Sequence, residues 1–151
     1  MAVKKLSSRF PLPDLDLDIA SAFWSAAARR ELRIPRCAQC QRWCWYPEER
    51  CPGCGGDLPW EQVDGTGSLF SWTVVHHPFV KEYADKVPIV TGLVALDEDP
   101  AVRLVTTIVD CTSDELSVGA RMIVTFRPLS FTGIDGEVIA PMFTLADKET
   151  R

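Results

Sequence analysis

Two Cys-x-x-Cys pairs, Cys37-Ala38-Gln39-Cys40 and Cys51-Pro52-Gly53-Cys54, constrain this chain more than anything else in it. Ten residues separate them. Each pair has the spacing of a tight knuckle whose two thiolates reach one ion. The residues between them can form a hairpin that carries the second knuckle back to the first. Pro52 presets a turn, and Gly53, Gly55 and Gly56 permit positive φ, so backbone N–H groups can point at sulfur. Two disulfides or four reduced thiols are the alternatives. Disulfides need an oxidising compartment, and nothing in the sequence reads as export.

Four cysteines with no open position make a closed, structural site rather than a catalytic one. Cys37, Cys40, Cys51 and Cys54 are the predicted ligands, and structural Zn2+ is the expected ion. Iron fits the same ligand set and would bring an electron-transfer role. Cys44 could replace Cys37 or Cys40, but the two pairs already fill a tetrahedron, so it reads as an unused thiol.

The 151 residues suffice for one ordinary domain plus a small appendage. A hydrophobic content of 46% and a charged content of 25% predict a folded chain. A net charge of −5 argues against a phosphate backbone as the main partner. The stretch Met1 to Phe10 is basic without a following apolar region, and no run approaches the roughly eighteen apolar residues of a membrane span. The expectation is a soluble, cytoplasmic protein with no membrane partner.

Residues 1–13 read as an irregular arm kept extended by Pro11 and Pro13. Asp14, Asp16 and Asp18 precede an Ala-rich helical run from Ile19 to Leu32, with Arg29, Arg30 and Arg33 toward its negative end. Ile19, Phe23 and Ala27, with Trp24 beside them, give a partly apolar face. This helix either packs on its own ribbon or barrel, or docks Phe23 and Trp24 against a partner. The metal module occupies 33–62 and carries Trp43, Trp45, Tyr46 and Trp60.

Strand periodicity begins after the module, at Leu69 to His76, preceded by Gly65-Thr66-Gly67, which reads as a hairpin entering that strand. Further strands are predicted at Ile89 to Leu96, Ala101 to Val109, Arg121 to Phe126 and Val138 to Leu145. Asp97-Glu98-Asp99-Pro100 is a turn, and Thr112 to Glu115 reads as a capping box opening one helical turn that closes near Gly119. Pro141 suggests an edge or bulge. Five strands with a helical insert between the third and fourth fit an OB-type barrel, with the 77–88 loop as a binding loop. The fold class is therefore mainly β: an N-terminal arm and helix (1–32), a zinc ribbon (33–62) and a five-stranded OB-fold barrel (63–151).

Catalytic equipment is sparse. His76 and His77 could supply a general base or a metal ligand, but strand alternation would turn one into the barrel and the other to solvent. Cys111 follows a strand with no activating base nearby and reads as a buried structural thiol.

The order of features resembles one family. Phe23-Trp24, then Leu32-x-Ile34-x-Arg36-Cys37-x-x-Cys40, Pro47 and Cys51-Pro52-x-Cys54-Gly55 carry the resemblance in the first half. Gly65-x-Gly67-x-Leu69-x-Ser71-Trp72-Thr73-Val74-Val75-His76, Pro88, Leu104-Val105-Thr106 and Val118-Gly119 carry it in the second. The chain resembles domain-of-unknown-function family thirty-five from about residue 12 to 145. These are acyl-CoA-associated proteins with a rubredoxin-like zinc ribbon followed by an OB-fold. The extra Cys44 within Trp43-Cys44-Trp45 departs from the usual pattern.

The resemblance implies a non-catalytic accessory subunit of a thiolase-like acyl-CoA or acyltransferase complex. A partner would carry out the acetyl transfer, condensation or retro-aldol cleavage. The hetero-oligomer would hold a CoA thioester near the interface, with Cys37, Cys40, Cys51 and Cys54 as metal ligands. Alternatives are an accessory subunit of an enoyl-CoA hydratase, a single-stranded nucleic-acid binder using the OB face, and an independent enzyme using His76 or His77.

Overall fold

A computed structural model describes residues 9–148. Helix α1 (Asp18–Ala28) leads into a two-stranded sheet made by β1 (Leu32–Pro35) and β2 (Trp60–Val63). Five strands follow: β3 (Thr66–Val75), β4 (Ile89–Leu96), β5 (Arg103–Ile108), β6 (Arg121–Leu129) and β7 (Val138–Leu145). They close a barrel in the order β3-β4-β5-β7-β6, and the short 3-10 turn Ser113–Glu115 lies between β5 and β6 as the sequence predicts. Among the described residues no helix is long and apolar enough to cross a membrane.

The predicted helix is four residues too long at its end. Arg30 turns into the left-handed region at φ 61°, and Glu31 donates back to the Ala26 carbonyl at 3.0 Å. That is a Schellman-type stop, made without the usual glycine, so no sequence signal marked it. Ala26 and Ala27 are the fully buried residues of α1, and their small side chains let the helix lie close on β7 and β1. Ile19, placed by the sequence on the partly apolar face, is exposed and lines an open cleft with Trp60. Residues 1–8 of the predicted arm lie outside the described residues. From Arg9 onward the arm turns rather than extends, and Leu12 is buried against Phe131 and Val138.

The knuckles are joined differently from the expected hairpin. The paired strands lie outside them, with Leu32 opposite Val63 and Pro35 opposite Trp60. Between them only one bridge forms, Arg36 to Trp43. Leu32, Ile34 and Val63 join Leu69, Val94, Leu104, Met122 and Phe143 in a single buried core. The ribbon's strands thus share the barrel's interior instead of building their own.

Gly65 and Gly67 form a corner into the barrel rather than a hairpin, since β2 and β3 belong to different sheets. At Gly67 a Cβ would stand 2.3 Å from the Ala95 carbonyl oxygen, so β3 and β4 meet only around a glycine. A bulge between Leu69 and Ser71 turns Phe70 outward, where the Arg103 guanidinium lies 3.8 Å from its ring centroid. Pro141 sits at the thinnest seam, where β5 and β7 pair at one position, Ile108 with Phe143. Its missing N–H costs no ladder bond there.

Asp97 of the predicted turn closes the barrel's other edge. It accepts from Arg121 at 2.8 Å and from Thr66 at 2.7 Å. The Arg121 guanidinium, then the Thr66 hydroxyl, hold its carboxyl down to about 2. A lowered carboxylate pKa stabilises fully above the unfolded value of about 3.9 and is lost as pH falls through the folded value. Because the pair is half exposed, Asp97→Asn is expected to cost about 0.5–1 kcal/mol at pH 7. That difference should shrink between pH 4 and pH 2, as read by denaturant melts of both proteins.

Candidate metal centre

Each knuckle starts from one cysteine whose sulfur collects backbone donors. The N–H groups of Gln39 and Cys40 both lie 3.4 Å from Cys37 Sγ, and that of Gly53 lies 3.4 Å from Cys51 Sγ. Four residues after each first cysteine the chain takes positive φ: 61° at Gln41 and 74° at Gly55. Their N–H groups return to the Cys37 and Cys51 carbonyls at 3.0 and 2.8 Å. The knuckles are therefore alike, although only the second has the glycine that announces this conformation.

The turns bring all four sulfurs within 4.8 Å of one another. Cys37 Sγ lies 3.4 Å from Cys54 Sγ, and Cys40 Sγ lies 3.6 Å from Cys51 Sγ. Zn–S bonds of about 2.3 Å place neighbouring sulfurs of a tetrahedron about 3.8 Å apart. Cys37 and Cys51 face the interior, and Cys40 and Cys54 face solvent. At Gly56 a Cβ would stand 3.0 Å from Cys37 Sγ, so a side chain there would crowd the cluster.

Electrostatics point the same way. Backbone donation, first from Gly53, holds the Cys51 thiol down to about 6, so it ionises at neutral pH. At Cys54 the Gly56 N–H favours the thiolate, but the neighbouring Cys37 and Cys40 push it up to about 11. Thiolates this close repel, and a divalent cation among them is what lets all four ionise together. The donor set, spacing and charge fit tetrahedral zinc.

Cys44 is buried beside Cys37 and Cys51 but is not one of the four converging sulfurs. Burial, then the Cys51 charge, pushes its thiol up to about 11, and its Sγ lies 3.8 Å from the Arg42 carbonyl oxygen.

Aromatic rings fasten the ribbon to the helix. Phe23 is the hub, 5.1 Å from Trp24, 5.4 Å from Trp45 and 6.4 Å from Trp60 between centroids. Phe23 and Trp24 thus pack within the chain, and both stay half-buried at the edge of an apolar cavity. Trp45 stacks on Tyr46 at 5.3 Å, and Tyr46 stays 62% exposed. A small apolar cavity of ≈ 280 Å³ opens between these rings, Val105 and Pro141.

The predicted alternation of the histidines does not occur. Both His76 and His77 are exposed, because β3 ends at Val75, and among the described residues neither makes a hydrogen bond or ion pair. Cys111 is half-buried against the barrel core rather than fully buried. The 77–88 loop puts Phe79 94% into solvent, while Tyr83 packs 4.9 Å from Phe131. An open groove of ≈ 570 Å³ runs between that loop and the β5–β7 seam.

Cys44→Ala should leave metal content unchanged while lowering stability by about 1 kcal/mol for the lost packing. Elemental analysis of the purified variant checks this, and a loss of metal would make Cys44 part of the coordination set.

Residues 24–59 match the family model described as the ChsH2 rubredoxin-like zinc ribbon domain, and residues 60–127 match the ChsH2 C-terminal OB-fold domain. A probable enoyl-CoA hydratase alpha subunit of Thermomonospora curvata is 36% identical over 136 residues. That match takes 88% of this chain but only 39% of the relative, so the chain spans about two fifths of that protein's length. A DUF35 domain-containing scaffold protein of Methanothermobacter thermautotrophicus is 30% identical over 112 residues, covering 73% of this chain and 82% of that protein. Among solved structures, a chain of the Ltp2-ChsH2(DUF35) aldolase superposes with TM-score 0.75 at 32% identity, covering 89% of this chain and 99% of that one. A DUF35-family protein of unknown function from Sulfolobus solfataricus shares the fold, with TM-score 0.52 at 13% identity over 84% of each chain. With its four-cysteine ribbon set on a closed five-stranded barrel, the chain belongs to the DUF35 family, whose members join a rubredoxin-like zinc ribbon to an OB-fold.

Proposed function

We propose that this chain is a zinc-stabilised, non-catalytic scaffold subunit that assembles with a thiolase-like acyl-CoA enzyme in the cytoplasm. One observation carries the reading. Four cysteine sulfurs close around a single point, so a metal there has no open position for substrate. Zinc held by Cys37, Cys40, Cys51 and Cys54 supplies cross-linking, and reaction chemistry falls to the partner. The 77–88 loop, with Phe79 at its tip, is the element that would lie at the partner's active-site mouth beside a CoA thioester.

The relatives support an assembled enzyme. One similar chain comes from a structure named as an aldolase of two proteins, and one relative is named as a subunit of an enoyl-CoA hydratase. The hydratase relative supports a second partner class, an enoyl-CoA hydratase in place of a thiolase-like enzyme.

Cys51→Ser should lose metal and partner together. Metal binding to such a ribbon contributes on the order of 10–16 kcal/mol, far more than one interface contact. Metal analysis and co-purification of the tagged variant test this. A demetallated ribbon that still supports full activity of the complex would contradict it.

A further inference from the structure

The aspartates before α1 do not do what their position suggests. Asp14, Leu15, Asp16, Leu17, Asp18 and Ile19 alternate acid and aliphatic. Leu17 occupies the N-cap, no side chain caps the helix, and only Asp18 lies in its first turn. Asp14 accepts a hydrogen bond from the Asp16 N–H at 3.2 Å, and the Asp16 and Asp18 carboxylates are unengaged among the described residues. The aliphatic residues between them are not spent on the core either. Leu15, Leu17 and Ile19 are 37%, 41% and 38% exposed.

Of these, Asp16, Leu17, Asp18 and Ile19 line an open cleft of ≈ 630 Å³. Glu48 and Glu49, from the segment between the knuckles, face Asp16 and Asp18 across it, and Trp60 joins Leu17 and Ile19 as its apolar surface. No cationic side chain lines the cleft. None of the four carboxylates takes part in an ion pair among the described residues, and neighbouring Arg50 is committed to Asp57. A scattered exposed leucine needs no explanation. Two exposed aliphatics and a tryptophan framed by four like charges are a different case, because the carboxylates repel until a cation joins them.

We infer that this cleft is the docking surface for a cationic, amphipathic segment of the partner enzyme. An aliphatic side chain of that segment sits on Leu17, Ile19 and Trp60, and its Lys or Arg residues meet Asp16, Asp18, Glu48 and Glu49. Charge complementarity selects the occupant. An anionic or purely apolar segment would add repulsion or leave the carboxylates unpaired on desolvation. The inference rests on the scaffold reading above and names where that partner touches. The metal fixes the Glu48–Glu49 wall, so metal loss removes the surface.

The test compares the chain with a variant carrying Asp16→Asn, Asp18→Asn, Glu48→Gln and Glu49→Gln, and with Leu17→Ser/Ile19→Ser. The probe is the partner enzyme purified from the native complex, and association is followed by biolayer interferometry across a salt series. Metal content and thermal melting confirm that both variants are folded. The amide variant should associate at least about tenfold more slowly, with a shallower salt dependence. The serine variant should dissociate about tenfold faster. Unchanged kinetics in both variants overturn the cleft and leave the scaffold reading standing. Wild-type chain that binds no enzyme at all overturns both. Self-association of the wild type that the amide variant abolishes would assign the cleft to a second copy instead.

Discussion

The convergence of four sulfurs is what the amino-terminal half depends on. Among the described residues, only Cys44 and Leu58 add apolar contact around the cluster. Ordering backbone costs about 1–2 kcal/mol per residue, and so small an interior cannot offset that. The backbone N–H groups aimed at Cys37 and Cys51 prepare two thiolates, and a divalent cation makes four compatible.

What the metal fixes is transmitted by packing. The flanking strands place Leu32, Ile34 and Val63 in the barrel's own core, so the ribbon is anchored rather than tethered. Phe23 ties α1 to both Trp45 and Trp60. The helix, the segment between the knuckles and the barrel are therefore held in one arrangement. The proposed scaffold role needs that property: a surface that keeps its shape before a partner arrives.

Much of this was legible in the sequence because the signals are local. The paired Cys-x-x-Cys spacing, the five strand runs and the Thr112–Glu115 box each declare themselves within a few residues. The helix end at Arg30 and the Gln41 turn were not legible, because both adopt positive φ without glycine. The pairing of β1 with β2 spans the whole metal module, and strands of four residues carry little periodicity of their own. The histidines were misplaced for a simple reason: alternation holds only while the strand lasts, and β3 stops one residue before them. The acidic cleft could not be read at all, since Glu48, Glu49 and Trp60 come from elsewhere in the chain.

Native mass spectrometry of the tagged chain, isolated gently from its own cells, tests the account most directly. The account predicts a hetero-oligomer in which about one zinc per chain accompanies a stoichiometric thiolase-like or hydratase subunit. A metal-bound chain that flies alone, or bound to nucleic acid, would contradict it.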